Sequence, residues 1–254
     1  MTLPKLAMDG KILEHCCIGP QMYRLLVHCP AIARQSRPGQ FVQVRVERGQ
    51  LLLRRPISLA DADAAAGTLT LIYRVVGKGT AAMAGLQPGD TINCLGPLGH
   101  GFSCTAEKPL LVGGGMGIAP LLFLAKAFAG RASILMGGRS AEEMFWPGLY
   151  DKLVQDIFIT TDDGSMGTKG FTVTLLPQLL QKGTFDQVFV CGPEIMMRCA
   201  ARIASEAGIA CEVSLEKRMA CGLGACLSCS IDTTDGQRKK VCKDGPVFPA
   251  QEVF

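Results

Sequence analysis

Between Gly10 and about Gly99 the chain alternates short apolar or β-branched runs with polar turns, the runs falling at residues 12–18, 23–29, 41–46, 69–76 and 91–95. Runs of that length with a period near two are half-buried strands, and their close spacing predicts an antiparallel β-barrel. Turn chemistry marks the breaks, with Pro38-Gly39 before one strand and Pro88-Gly89-Asp90 before another. After about Cys104 the rhythm changes. Apolar runs at 110–112, 133–136, 157–160, 187–191 and 211–215 are separated by helical stretches at 119–129, 171–181 and 194–207. That alternation predicts a doubly wound parallel sheet. From Glu216 onward the pattern is irregular and cysteine-rich, and the segment is too short to bury a core of its own. A metal centre would supply the missing cohesion. The expected fold is multi-domain α/β plus β: an antiparallel barrel over 1–104, a doubly wound parallel sheet over 105–215 and a small metal-bearing domain over 216–254.

Composition removes other classes. With 19% charged and 48% apolar residues in 254 positions, the chain has the makings of packed cores and not of disorder. Lys and Arg exceed Asp and Glu by 26 to 22, and there is one Trp and three Tyr, so no nucleic-acid surface is expected. The longest uncharged stretch, 109–125, contains four glycines and two prolines and is not a membrane helix. Residues 1–10 lack the pattern of a secretory signal, which makes a cytoplasmic protein with reduced thiols the expectation for the twelve cysteines. The three histidines, His15, His28 and His100, are widely spaced and read as surface or loop residues.

The most specific chemistry is Cys221-x4-Cys226-x2-Cys229-x12-Cys242. This is the plant-type spacing of a 2Fe-2S cluster, three thiolates from one tight loop and a fourth from a separate element. Ala220, Gly222, Gly224 and Ala225 let the loop curl and aim N–H groups at the sulfurs. A structural zinc site is the alternative, although zinc modules usually repeat C-x2-C at both ends.

A second signal is Gly113-Gly114-Gly115-Met116-Gly117-Ile118-Ala119-Pro120, placed between a predicted strand and a predicted helix. Glycines there admit a phosphate close to the backbone, and the helix start offers free N–H groups. The string departs from G-x-G-x-x-G, and a tight turn without ligand is the competing reading. Gly137-Gly138-Arg139-Ser140 and Cys191-Gly192-Pro193-Glu194 fall at the ends of further strands, on the side where open parallel sheets bind ligands. Cys191 is either a thiol against a nicotinamide ring or a small buried apolar residue.

The barrel carries Arg54-Arg55-Pro56-Ile57-Ser58, Ile72-Tyr73-Arg74 and Gly77-Lys78-Gly79-Thr80. An arginine fork can clasp a phosphate, Ser58 can donate to a flavin ring nitrogen, and Gly79-Thr80 can open a helix toward a pyrophosphate. By composition alone these are ordinary strand-edge charges.

Together, and in this order, the strings resemble the ferredoxin-reductase superfamily. Arg55 to Ser58, Tyr73 to Thr80, Glu216 to Gly222 and Val241 to Phe248 are similar to the electron-transfer subunits of B-type dihydroorotate dehydrogenases. The superfamily usually has R-x-Y-S or R-x-Y-T, and Ile57 in place of the aromatic favours the subunit family. The resemblance implies FAD lined by Arg55, Pro56, Ile57, Ser58, Ile72, Tyr73, Arg74, Gly79 and Thr80. It implies NAD as substrate at Gly113, Gly114, Gly115, Gly117, Cys191, Gly192 and Pro193, and a 2Fe-2S cluster on Cys221, Cys226, Cys229 and Cys242. It further implies an FMN-containing catalytic partner that oxidises dihydroorotate in pyrimidine biosynthesis, two copies of each chain, and electron flow from FMN through cluster and FAD to NAD. No acid–base side chain is then required of this chain. The same parts would serve a reductase subunit feeding a hydrogenase, a sulfur reductase or a ferredoxin-dependent complex, and a zinc-stabilised non-enzymatic module is a further alternative. The family favours NAD, whereas Gly138-Arg139-Ser140 taken alone leans toward a 2′-phosphate.

Overall fold

The computed structural model describes residues 5–46 and 51–254. Residues 1–4 and 47–50 of the span expected for the barrel lie outside the described residues, and with the first four goes the head of the segment read for a secretory signal.

Six strands, β1 (Leu6–Gly19), β2 (Met22–His28), β3 (Phe41–Arg45), β4 (Arg55–Asp63), β5 (Thr68–Arg74) and β6 (Thr91–Leu98), close a barrel in the order β1-β2-β5-β4-β3-β6. All its pairings are antiparallel, and alternate residues such as Leu25 and Val27, Val42 and Val44, and Leu69 and Leu71 fill its interior. Two short helices, α1 (Pro30–Ala33) and α2 (Lys78–Ala84), plug the connections. Strand β4 is absent from the pattern of apolar runs. Its sequence, RPISLADAD, holds a proline and three aspartate or arginine residues, which strands usually avoid. It is a strand because its neighbours β3 and β5 supply ladders on both sides and a helix covers its outer face.

The second layer system is a seven-stranded sheet of order β10-β9-β8-β7-β11-β12-β15, built from β7 (Pro109–Gly114), β8 (Ser133–Gly138), β9 (Ile157–Thr161), β10 (Thr168–Lys169), β11 (Gln187–Cys191), β12 (Ala210–Ser214) and β15 (Val247–Pro249). The first six run parallel, and β15 adds antiparallel to β12, with Val213 opposite Phe248. Helices α5 (Thr172–Lys182) and α6 (Glu194–Glu206) cover one face, meeting Leu110, Val112 and Val190. Helix α3 (Ile118–Ala127) and the turn α4 (Pro147–Tyr150) cover the other, meeting Leu111, Ile134 and Phe189. This is the doubly wound arrangement, in which central strands are apolar on both faces. Helix α3 is apolar nearly all round because it is sandwiched: its outer side packs on β4 of the barrel, and Lys126 Nζ lies 2.8 Å from Asp61.

The remaining elements, the pair β13 (Ser230–Asp232) and β14 (Arg238–Lys240) with the short helices α7 (Val241–Asp244) and α8 (Ala250–Val253), belong to the cysteine-rich end. That end does not stand apart. It returns to the sheet through β15, and the backbone N–H of His100 at the barrel's end donates to Gly245 O at 2.6 Å.

Candidate functional site

The closed barrel and the C-terminal strand ends of the parallel sheet face each other, and the residues singled out in the sequence collect where they meet. Arg55, Pro56, Ile57, Ser58, Ile72, Tyr73, Arg74, Thr80 and Cys191 line one cleft of about 370 Å³, together with Phe41, Ser214, Leu215, Glu216, Lys217, Met219 and Pro246. Gly79 lies beneath Arg55. A Cβ there would sit inside the guanidinium, 1.9 Å from its Nε, so only glycine lets the arginine fold across the start of α2. Arg55 donates through Nη1 to Leu53 O and Arg54 O, just ahead of its strand, leaving the rest of its fork toward the cleft. The Thr80 hydroxyl accepts from Val76 N at 2.9 Å and Gly77 N at 3.2 Å, which shapes the turn before α2.

Two of the barrel residues act differently from the simplest expectation. Arg54 points away from the cleft and donates to Gln43 O, Asn93 O and Asn93 Oδ1. Tyr73 lines the cleft, but its ring belongs to the barrel core, stacked on Tyr23 with centroids 5.7 Å apart, and its hydroxyl meets His15 Nε2 at 2.9 Å. His15 is therefore a half-buried structural residue, its Nδ1 donating to Leu86 O, whereas His28 and His100 are exposed.

A second cleft of about 700 Å³ opens over the strand ends, lined by Gly114, Gly115, Met116, Gly117, Gly192 and Pro193. The loop after β7 lies so close to β11 that a Cβ on Gly117 would stand 2.3 Å from Cys191 O. Gly113 is buried behind this loop, against Ile118 and Leu121, and lines neither cleft. Cys191 is 1% exposed, and burial pushes its thiol far above the ordinary range, so it meets the cleft as a neutral, soft apolar surface. The two clefts share Arg74, Met116, Leu215, Glu216 and Lys217, which makes them one continuous trough with a waist. Glu216 stands at that waist, exposed to the trough yet surrounded by enough protein that desolvation raises its carboxyl above the usual range.

The trough extends into a third hollow of about 530 Å³ that includes Gly137, Gly138, Arg139 and Glu143. Here the structure adds residues that sequence reasoning missed. Phe171 and Ile195, 67% and 71% exposed, stand on its walls at the starts of α5 and α6. A large apolar residue at a strand-to-helix turn, on the ligand side of the sheet, was the available signal. Glu143 is the second addition. Its carboxylate accepts from Arg139 N and from the Arg139 guanidinium and lies 3.9 Å from Arg74 Nη2, and the Arg139 hydrogen bonds hold it below the usual carboxylate range. The arginine that leaned toward a 2′-phosphate is thus already paired.

The four clustered cysteines come together at the other side of the Phe41 and Met219 wall. Cys229 and Cys242 are 2% and 0% exposed, Cys221 is half-buried and Cys226 is exposed. The Cys226 thiol interacts with Cys221, and the Cys242 thiol with Cys229 and, less strongly, with Cys221. Backbone N–H groups aim at sulfur: Leu223 N to Cys221 at 3.3 Å, Gly224 N to Cys242 at 3.2 Å and Cys242 N to Cys229 at 3.4 Å. Further N–H groups from Ser228 and Cys221 bring Cys226 down to about 6, whereas burial and the neighbouring Cys229 push Cys242 up to about 12. Among the described residues no three Cys, His, Asp or Glu side chains converge as ligands of one ion. Four cysteines with backbone N–H groups aimed at their sulfurs fit an iron-sulfur cluster, whose sulfurs accept hydrogen bonds.

Comparison with known proteins agrees with this geometry. Residues 13–102 match the oxidoreductase FAD-binding domain family, and residues 216–254 match the iron-sulfur cluster binding domain of dihydroorotate dehydrogenase B. The chain is 40% identical to the dihydroorotate dehydrogenase B (NAD(+)) electron transfer subunit of Desulforamulus reducens, covering 96% of this chain and 97% of that one. It is 38% identical to the same subunit of Listeria monocytogenes, covering 98% and 99%. Among solved structures, an NADH-dependent reduced ferredoxin-NADP oxidoreductase superposes with a TM-score of 0.82 at 32% identity over 96% of this chain and 89% of the other. A ferredoxin NADP+ reductase from Neisseria gonorrhoeae, at 20% identity and a TM-score of 0.64 over 80% and 92%, shares the fold.

Proposed function

The chain belongs to the electron-transfer subunits of NAD-dependent dihydroorotate dehydrogenase B, and from that membership we propose how its residues divide the work. It is an oxidoreductase subunit that carries electrons between a catalytic partner subunit and NAD by way of FAD and an iron-sulfur cluster. When bound, FAD supplies the exchange between a two-electron nicotinamide and a one-electron cluster.

The observation that carries the assignment of residues is the shared wall. Leu215, Glu216, Lys217 and Met219 line the cleft between barrel and sheet, and the same segment reaches Cys221 two residues later. In this reading Arg55 and the start of α2 hold the flavin phosphates, with Gly79 giving the guanidinium its place. Ser58, Ile57 and Pro56 border the ring. Gly114, Gly115, Gly117, Gly192 and Pro193 bring bare backbone to the dinucleotide, and Cys191 gives the nicotinamide end a soft, uncharged wall. Phe171 and Ile195 flank the adenine end. Glu143, by occupying Arg139 and presenting a carboxylate, selects a ribose hydroxyl over a 2′-phosphate, which supports NAD. Cys221, Cys226, Cys229 and Cys242 would hold the cluster. Phe41 and Met219 exclude water between flavin cleft and cluster. The corresponding division of the chain is 1–104, 105–215 and 216–254.

The partner carries FMN, in a complex of two copies of each chain, and the complex resides in the cytoplasm. None of the twelve cysteines forms a disulfide, and no described helix is long and apolar enough to cross a membrane. The deciding experiment mixes the purified chain with the FMN-bearing subunit under argon and supplies dihydroorotate and NAD. Formation of NADH only when both chains are present is expected. Reduction of ferredoxin by NADH with no dihydroorotate-dependent NADH would instead favour the acceptor named for the solved relative.

A further inference from the structure

Among the described residues, the one fully buried polar side chain that finds no partner lies between the flavin motif and the cysteine loop. Gln43, on β3, is 0% exposed. Among the described residues neither its Oε1 nor its Nε2 has a hydrogen-bond partner in the protein. A polar group left unsatisfied in a protein interior loses its hydration with nothing in return. The residue is not a strand-interior accident of the barrel. Its neighbours Val42 and Val44 fill the barrel core, so Gln43 points the other way, on the face where Phe41 packs with Cys229, Val241 and Cys242.

Two contacts fix where the amide goes. Across the β3–β4 ladder Gln43 is opposite Pro56 of the flavin motif. On its outer side it lies against Gly222, the residue after Cys221. A Cβ built on Gly222 would be 2.7 Å from Gln43 Cγ and 2.9 Å from Nε2, and Gly222 has a φ of +69°. The loop therefore brings its backbone onto the amide, nitrogen end first. Three backbone N–H groups of this region already serve sulfur, Leu223 N toward Cys221, Gly224 N toward Cys242 and Cys242 N toward Cys229. Cluster sulfides and cysteine thiolates accept hydrogen bonds and donate none, and an amide NH2 is the complementary group.

We propose that Gln43 donates a side-chain hydrogen bond from the barrel to a sulfur of the 2Fe-2S site and thereby sets the reduction potential of the cluster. The inference rests on the cluster reading of Cys221, Cys226, Cys229 and Cys242. The sign follows from charge. A reduced cluster carries one more negative charge than the oxidised one, so a buried donor stabilises the reduced form more and raises the potential. The same strand pair presents Phe41 and Pro56 to the cleft, while the Gln43 amide faces the cysteine loop, so the effect is expected at the cluster and not at the flavin.

The test is a mediated redox titration of the assembled complex, followed by electron spin resonance, for the wild type, Gln43→Leu and Gln43→Met. Both substitutions keep the volume and remove the donor. The expected result is a cluster potential lower by about 59 mV, a tenfold smaller reduced-to-oxidised ratio at fixed ambient potential for a one-electron couple, with the flavin potential unmoved. A second readout needs no variant: wild-type protein labelled with 15N in its glutamine side chains should show a hyperfine coupling between one amide nitrogen and the reduced cluster. Wild-type potential in both variants, or no 15N coupling, overturns the role of Gln43 alone. A wild-type complex without a 2Fe-2S signal overturns the cluster reading and the proposal with it.

Discussion

The parallel sheet and the cysteine-bearing end meet along β12 and β15, yet they are held together by different means. Every residue of β7 is buried, β8 and β11 each have one that is not, and helices seal both faces. Between Glu216 and Lys240, by contrast, only Gly222, Cys229 and Thr233 are buried, and the regular structure amounts to two three-residue strands. The sheet positions its ligand-facing glycines through hydrophobic packing that exists before any ligand arrives. The cysteine loop relies on contacts among its sulfurs and the N–H groups that point at them, so its order depends on what the sulfurs hold. One site is a consequence of the core; the other substitutes for one.

The sharpest way to break this contrast is Cys229→Ser. Cys229 is buried, pairs with Cys242 and accepts from Cys242 N. Loss of the cluster signal is expected, with proteolytic nicking confined to the span from Cys221 to Arg238 while FAD stays bound and NADH still reduces a dye. Release of FAD together with the cluster would show that the two regions share one source of order. A smaller effect should follow from Gly117→Val, which forces a side chain against Cys191 O. The KM for NADH should rise about tenfold or more, at least ~1.4 kcal/mol of lost binding, with cluster and flavin contents at wild-type level. A change in cluster content would contradict the independence of the sheet site. The smallest expected effect belongs to Glu143→Gln, which loosens Arg139 without touching any core residue. Preference for NADH over NADPH, measured as the ratio of kcat/KM, should fall by about fivefold, ~1 kcal/mol, the scale of an exposed charge pair. An unchanged ratio would remove Glu143 from the selection of dinucleotide.

The same contrast explains what could be read without coordinates. The strands and helices of the sheet were legible because burial on both faces writes itself as apolar runs, as in residues 110–112 and 187–191. The cysteine spacing was legible because four ligands of one centre lie within a single short segment. Strand β4 was visible only as a motif, since Arg55, Pro56 and three acidic or polar positions mask a strand whose ladders come from distant neighbours. Strand β15 is three residues long and exists because Val213 and Phe248 find each other across the chain. Phe171, Ile195, Glu143 and Gln43 escaped for a related reason. No local rule says which side of a turn or strand will face a crevice built by another part of the chain.

The most direct test of the relay is an anaerobic NADH titration of the purified protein, followed by visible absorbance and electron spin resonance. Bleaching of a flavin band together with the appearance of a reduced 2Fe-2S signal is the predicted result. A protein that carries zinc, shows no visible band and does not respond to NADH would contradict it.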